Sequence, residues 1–552
     1  MTGTDISDFA EKPPTNDVRD SNSTITSTDK PRTSSPVLQS KTDPDAVTVK
    51  LTTPEFITVF VSLVLAIFLV ALDTTIVSTA IPAIAEEFQA LDQISWIGTG
   101  FFLTSTAFSP TYGSFCDIFG RKATFIFAIT LFEVGSLLCG IAPSMIVLII
   151  GRLVAGIGGG GIFAATLIII SDIVSLRDRG KYQGIIGAVF GLSSVVGPLL
   201  GGVFTDQISW RWCFYINLPI GFFTGCVVLF MLKFPAPEGN IASKLHKIDY
   251  IGTIVVVSAV TCFLIPLQFG GSQWAWNDAR TISLFIVSFV LFAAFVFVEL
   301  KVAQNPLIPA RLFENRSVPL LLFIAFLLGN CFFSINYYVP TFFQLVYGDS
   351  ATVSGLQSIP MIFGVVFLSI LSGQLISRTG HYKIFLLIGP VFLVTGQVLL
   401  STLTPDTHLW QEIIYLLIAG VGIGSIIQVR ILGIQASVGY NNIAVATSTS
   451  NFCMNLGGTV GIAVAGTIFT NRLSQNLGDQ LAAEVSQNPS IIPSLKDVDT
   501  VRSGIANSLG FVYYYSIPLA CLIFLTGIFV QEFFSEKKPT GKDEPIVALV
   551  EA

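Results

Sequence analysis

Residues 57–81 read ITVFVSLVLAIFLVALDTTIVSTAI, an apolar run with the carboxylate of Asp73 set inside it. A helix needs about 20 such residues to cross a hydrocarbon core of about 30 Å. The run therefore predicts a membrane helix and not the half-length, alternating strand of a barrel. An ionisable group at that depth is costly. Where one occurs, it usually faces a bundle interior and belongs to an ion or substrate path. A proton readily neutralises a carboxylate in a dry site, which lets such a group cycle between charged and neutral forms. Asp73 is accordingly the leading candidate for proton coupling or substrate contact. The competing reading is a carboxylate saturated by Thr74, Thr75 or a neighbouring helix.

Working outward, further apolar segments follow at about 94–115, 123–140, 145–168, 182–203, 214–232, 250–269, 281–300, 318–343, 353–376, 384–403, 413–435, 445–470 and 509–533. The expected fold class is an all-α polytopic membrane protein with fourteen transmembrane helices. Composition agrees. Only 12% of the 552 residues are charged, against about 25% in soluble domains, and the mean hydropathy is +0.74. Soluble, disordered and fibrous classes are excluded. The net charge of -6 indicates no partner, and no basic stripe with interleaved aromatics supports nucleic-acid binding. The 8 Cys lie mostly in apolar spans without ligand or disulfide spacing, so they read as packing residues, and no metal site is expected. With 3 His, no organised nucleophile–base set and no phosphate-cradling loop, an enzyme is not expected, nor any cofactor.

Loop charge sets the orientation. Arg121 and Lys122, Arg177 to Lys181, Lys233 to Lys247, Arg311 and Arg316, and Arg378 and Lys383 fall in alternate connections. An even span count then places both termini on the basic, cytosolic side. The expected organisation is a disordered cytosolic tail (1–55), a six-helix bundle (56–232), two added helices with linkers (233–317), a second six-helix bundle (318–534) and a cytosolic tail (535–552). An external loop is expected at about 471–508.

Several motifs carry chemistry. Gly113, Asp117, Gly120 and Arg121 lie between spans two and three, where glycine permits a sharp turn and Asp117 can pair with Arg121; the bland reading is an ordinary basic loop. Gly187, Gly191, Gly197, Pro198 and Gly201 give span five a small-residue stripe for close helix approach and a bend. Arg152 lies in or near span four with Gly156 and Gly160 on its face; it either tunes a buried carboxylate or snorkels to the external boundary. Glu133 is a second intramembrane carboxylate, while Asp172 and Asp206 read as peripheral. Trp210, Asn217, Asn336, Tyr337 and Gln344 are possible cavity residues near the external side, where interfacial anchoring explains much of them. Asn451 reads as a polar contact or packing group. Arg430 interrupts span twelve; snorkelling to the nearby cytosolic end is preferred to contact with an anionic substrate.

Together, Leu72 to Val77, Gly113 to Lys122, Arg152 to Gly160, Gly187 to Gly202 and Trp210 to Pro219 resemble, in order, the signatures of the major facilitator superfamily. The resemblance is to its fourteen-span drug:proton antiporter family, especially the fungal members, and it covers about 56–534. It implies two six-helix halves around a cavity, alternating access, and spans seven and eight as the added pair. Around Gln428 to Arg430 the chain departs from the family, whose members commonly carry proline where Arg430 stands. A positive site there favours an anionic or zwitterionic ligand.

The expected function is proton-coupled efflux of small organic molecules such as drugs, toxins or secondary metabolites. The partners are protons, a small-molecule substrate and the lipid bilayer; the sequence does not assign an oligomeric state. The plasma membrane is preferred to the vacuolar membrane. Two alternatives stand beside this reading: a vacuolar basic amino-acid transporter, and a non-transporting nutrient sensor.

Overall fold

In a computed structural model, the residues described are 52–89, 93, 95–232, 234, 240–270, 274–439, 442–478, 480–482, 485 and 497–532. The expected tails 1–55 and 535–552 lie almost wholly or wholly outside them. Fourteen long helices follow in order: α1 Thr53–Phe88, α2 Ser95–Phe119, α3 Arg121–Gly140, α4 Met145–Ile173 and α5 Leu176–Gln207. Next come α6 Trp212–Met231, α7 Tyr250–Phe269 and α8 Ala279–Lys301, α9 Ser317–Tyr347, α10 Val353–Thr379, α11 Lys383–Leu400, α12 Leu409–Ser437, α13 Ile443–Leu477 and α14 Val498–Phe529.

Thirteen of these are long and apolar enough to span a membrane; α2 is long enough but less apolar. Its position explains why. Thr104 Oγ1 donates to the Leu153 carbonyl at 2.7 Å and the Tyr112 hydroxyl to the Ile157 carbonyl at 2.8 Å, both on α4. A helix enclosed by others can carry hydroxyls if neighbours satisfy them. The outer helices do the reverse. Phe222 and Phe230 on α6 are each 74% exposed, and Phe289 on α8 is 64% exposed. So much exposed aromatic surface suits lipid and not water.

Local chemistry punctuates the helices. Ser175, Asp249 and Asp278 cap α5, α7 and α8 by accepting backbone N–H bonds. Gly120, between α2 and α3, has φ of 92°, a conformation costly for any residue with a Cβ. Gly380, after α10, has φ of 80° and closes that helix in the left-handed conformation.

The apolar core falls into clusters. One is built wholly from 312–530, around residues such as Leu328, Leu393 and Ile423. Two others draw on α1 to α6, and Ile431 and Ala444 join one of these from α12 and α13. A fourth gathers Leu103 and Ala107 of α2, Val256 and Val260 of α7, Phe295 of α8 and Phe452 of α13. Hence α7 and α8 sit against the flank formed by α2 and α13.

The external loop expected at about 471–508 is shorter. The helices run past the apolar stretch, α13 to Leu477 and α14 from Val498, with Leu473, Val501 and Ile505 buried. Helices projecting beyond hydrocarbon lose their apolar signature but keep their backbone bonding, so hydropathy misplaces their ends.

Candidate functional site

Asp73 and Arg152 meet in the interior of the α1–α6 group. The Arg152 Nη1 donates to Asp73 Oδ2 at 2.5 Å, and the two side chains are 2% and 0% exposed. Arg152 Nε donates to the Ile97 carbonyl on α2 at 2.8 Å, and the guanidinium lies 4.7 Å from the Phe101 ring centre. The other carboxylate oxygen, Asp73 Oδ1, accepts from Asn217 Nδ2 at 3.2 Å. The same amide nitrogen also reaches Ser136 Oγ at 3.2 Å. Four helices, α1, α2, α4 and α6, thus touch one ion pair, and α3 joins them through Ser136 and Asn217. Arg152 does not snorkel, and Asp73 is held by Arg152 and Asn217, not by Thr74 or Thr75, whose hydroxyls donate to backbone carbonyls.

Glu133 stands one turn from Ser136 on α3. Both of its carboxylate oxygens are buried and without a hydrogen-bond partner. The side chain lies over Gly221 of α6, where any Cβ would collide with the carboxylate. Burying a carboxyl without a hydrogen-bond partner is costly.

At the basic ends of the helices a second cluster forms. Arg121 Nε donates to Asp172 Oδ2 at 2.8 Å and Nη1 to Asp117 Oδ1 at 2.9 Å. The Cys116 carbonyl accepts from the same Nη1 at 3.0 Å. Asp172, read from sequence as peripheral, is buried and belongs to this triad. The hairpin of α3 and α4 is antiparallel, so the start of one and the end of the other lie level; that topology could have found it. Of Asp206 no side-chain position is described.

Around this end the two groups of helices are closed together. A Cβ on Gly113 would lie 2.8 Å from Val445 Cα. Gly180 of α5 and Gly373 of α10 touch backbone to backbone. Ser377 Oγ donates to Asp178 Oδ1 at 3.0 Å, Arg179 Nη1 to Gln435 Oε1 at 3.4 Å, and Gln183 Nε2 to that same oxygen at 3.5 Å. The span-five glycines divide between neighbours. Gly187 faces Gln428 and Ser369, and Gly191 faces Ile362, in the second group. Gly197 and Gly201 pack on Thr75, Ile76 and Thr79 of α1, on either side of Pro198.

The remaining candidates separate. Trp210 is buried and donates to Glu87 Oε2 at 2.6 Å; Arg211 donates to both Glu87 oxygens, at 3.1 and 2.7 Å. Glu87 lies beyond the apolar stretch ending at Val77, and the Arg211 hydrogen bonds hold its carboxyl below the usual value of 4.5. This is a clamp at the opposite end from the basic one. Asn336 and Tyr337 are exposed on α9, and Gln344 donates to Ser354 at 3.0 Å; none is brought to Asp73. Arg430 does not snorkel. It is buried on α12 and reaches inward to Ser450 and Met454 of α13, away from the nearby helix end. Asn451, next to Ser450, is also buried.

Comparison with known proteins fits this architecture. The family model described as "Major Facilitator Superfamily" matches residues 63–462. The MFS-type efflux pump MFS1 of Arthroderma benhamiae is 40% identical over 473 residues, covering 83% of this chain and 88% of that protein. The efflux pump aflT of Aspergillus parasiticus is 38% identical over 425 residues, covering 76% and 83%. The structure of the human organic anion transporter MFSD10 superposes with a TM-score of 0.60 at 14% identity, over 86% of this chain and 100% of that one; the likeness is one of fold.

Proposed function

This chain belongs to the major facilitator superfamily, and from that premise we propose that it exports small organic molecules by proton-coupled alternating access. The observation that carries the reading is the Asp73–Arg152 pair, sealed from solvent and tied to Asn217. The similarity to named fungal efflux pumps supports the direction of transport. In the resting pair each charge neutralises the other. A proton arriving at Asp73 removes the attraction, leaves Arg152 without its counter-ion, and loosens the helices held at the pair. Glu133 offers a second place for the proton within the same interior. Because Gly197 and Gly201 seat α5 on α1 near Asp73, while Gly180, Gly184 and Gly191 seat it on α10, movement at the pair reaches the seam between the two six-helix halves. In this reading α7 and α8 are the added pair.

The basic end is the cytosolic one on loop charge, so both termini are cytosolic and the seam at Gly113, Gly180 and Arg179 is the cytosolic gate. The structure then corresponds to a state closed to the cytosol. The plasma membrane is the expected site for export. A buried guanidinium at Arg430 disfavours a basic amino acid as cargo, and the coherent ion-pair site disfavours a sensor without turnover.

The test is reconstitution of purified protein and of Asp73→Asn in separate vesicles with a set pH gradient. Proton flux is followed while lipophilic cations, neutral metabolites, organic acids and basic amino acids are added. Substrate-triggered proton flux is expected in the natural protein and not in Asp73→Asn. Substrate movement that ignores the gradient in the natural protein would sink the coupling assignment.

A further inference from the structure

We infer that Arg430, together with Asn451, is the recognition site for the acidic group of the transported molecule, so that the cargo is a small organic anion. The inference rests on the efflux reading and names its substrate class.

The argument begins with charge. A guanidinium inside a membrane bundle is costly unless an anion or several acceptors meet it. Three other arginines meet carboxylates: Arg152 has Asp73, Arg121 has Asp117 and Asp172, and Arg211 has Glu87; the buried Arg179 donates to the Val174 and Ser171 carbonyls and to Gln435. Arg430 is 1% exposed, and no ion pair among the described residues involves it. Its Nη1 donates to Ser450 Oγ at 2.5 Å and more distantly to the Ser450 carbonyl at 3.4 Å. Its Nη2 donates to the Met454 sulfur. These acceptors are neutral, and a thioether is a weak one. Nε has no acceptor at all. A full positive charge is thus buried with its fork incompletely used.

The second observation is independent. Asn451 is 3% exposed, and neither its amide nitrogen nor its amide oxygen has a partner. It directly follows Ser450, the group that Arg430 touches. Gln428, two residues before Arg430, is buried with its own Oε1 unpartnered. Arg430 and Asn451, both with unmet bonding capacity, therefore lie on the stretches of α12 and α13 that meet at Ser450, while Gln428 lies against Gly187 of α5. Orphaned buried groups are rare in a finished fold and call for a ligand or a change of state. The Arg430 guanidinium and the Asn451 amide nitrogen match a carboxylate or phenolate, which supplies several acceptor lone pairs in one plane, whereas the Gln428 Oε1 is itself an acceptor and calls for a donor elsewhere on the cargo.

The third observation is place. Gln428 Nε2 lies 3.4 Å from a Cβ built on Gly187 of α5. Ile431 packs into the α1–α6 core, and Gln435 bonds Arg179 and Gln183. This stretch of α12 is itself the seam. When the seam parts, the Arg430 neighbourhood faces the compartment from which cargo is taken. When it closes, Ser450 and Met454 hold the guanidinium. No carboxylate belongs to the set, so the site discriminates by charge sign.

The test uses three probes with one aromatic body: 1-naphthoate, 1-naphthamide and 1-naphthylmethylammonium. Equilibrium binding to the full chain in nanodiscs is measured by tryptophan quenching, without any gradient. Naphthoate should bind about tenfold or more tighter than the other two, the scale of leaving a buried charge unpaired. Arg430→Gln should erase that preference while leaving naphthamide binding in place, and Arg430→Lys should keep part of it. Asn451→Asp should erase it by repulsion in a protein whose arginine is intact, which guards against a folding defect at Arg430. Naphthoate binding no tighter than naphthamide, or absent, overturns the inference. So does a preference that survives both Arg430→Gln and Asn451→Asp, since a mere strut between α12 and α13 would behave that way. Failure of proton coupling in the vesicle experiment would leave this binding result unchanged, so the two readings fail separately.

Discussion

The Arg152 guanidinium holds an ion pair, a backbone carbonyl and an aromatic face at once, and the helices around it depend on that charge being matched. Removing one member of a buried pair costs about 3–5 kcal/mol, whereas replacing both by apolar groups is often close to neutral. Arg152→Met should therefore lower unfolding stability in detergent by about that amount, and Asp73→Leu added to it should recover most of the loss. Equal instability of the single and double variants would show that packing, not charge, dominates there. Glu87 gives a prediction in pH. Its carboxyl is held below 4.5 by Arg211, so the clamp contributes fully above that value and is lost as pH falls through the depressed one. Its side chain is 43% exposed, and solvent screening keeps the contribution to about 1 kcal/mol at most. The melting midpoint of the natural protein should drop towards that of Glu87→Gln as pH falls from about 5 to about 3, and the two should differ most above pH 5. At this scale the sequence is legible where a charge breaks an apolar run, as at Asp73, Arg152 and Glu133. It is not legible for Ser136, a small hydroxyl that helix interiors tolerate anywhere. The environment of Arg430 was equally hidden, because a helix-end position does not say which way a long side chain turns.

Helix α5 shows how local sequence sets which neighbours an element packs against. Its glycines at 180, 184 and 191 face α10, while those at 197 and 201 face α1. Thr75 Oγ1 donates to the Ser193 carbonyl at 3.0 Å in the turn before Pro198. One helix thereby contacts the Asp73 helix at one end and the opposite half of the molecule at the other. A Cβ on Gly201 would run into the Ile76 carbonyl and Thr79 Oγ1, whereas one on Gly202 would meet nothing within 4 Å. Gly201→Leu should cost about 1–3 kcal/mol by overpacking and lower transport at least severalfold. Gly202→Ala should be harmless and gain up to about 1 kcal/mol of helix propensity. Matched flux measurements on the two variants decide it: equal effects would mean that the stripe is generic and that its facing does not matter. The existence of fourteen helices was readable from hydropathy alone. Their ends were not, as α1, α13 and α14 show, since a helix continues into water wherever its neighbours still bury one face.

Across the whole molecule, the contacts between the two sets of helices gather at the basic end, where Gly113, Gly180, Gly373, Ser377 and Gln435 come together. The sequence marked Gly113 as a turn-and-packing residue, but pairing it with Val445 needed the three-dimensional meeting of segments more than three hundred positions apart. In the alternating access proposed above, this seam opens in every cycle. The pair Asp178 and Ser377, joined by a 3.0 Å hydrogen bond across it, is therefore the place to hold it shut. Asp178→Cys with Ser377→Cys, in a background where exposed Cys521 is replaced by Ser, should form an intramolecular cross-link on mild oxidation. Transport should then fall to the level of empty vesicles and return on reduction, while each single cysteine variant keeps most of its activity. Because a closed seam also shuts the approach to Arg430, the cross-linked protein should lose naphthoate binding from that side and regain it with reductant. Cross-linking that proceeds to completion without slowing transport would mean that this end of the bundle stays closed throughout the cycle, and the passage would then have to be sought elsewhere in the fold.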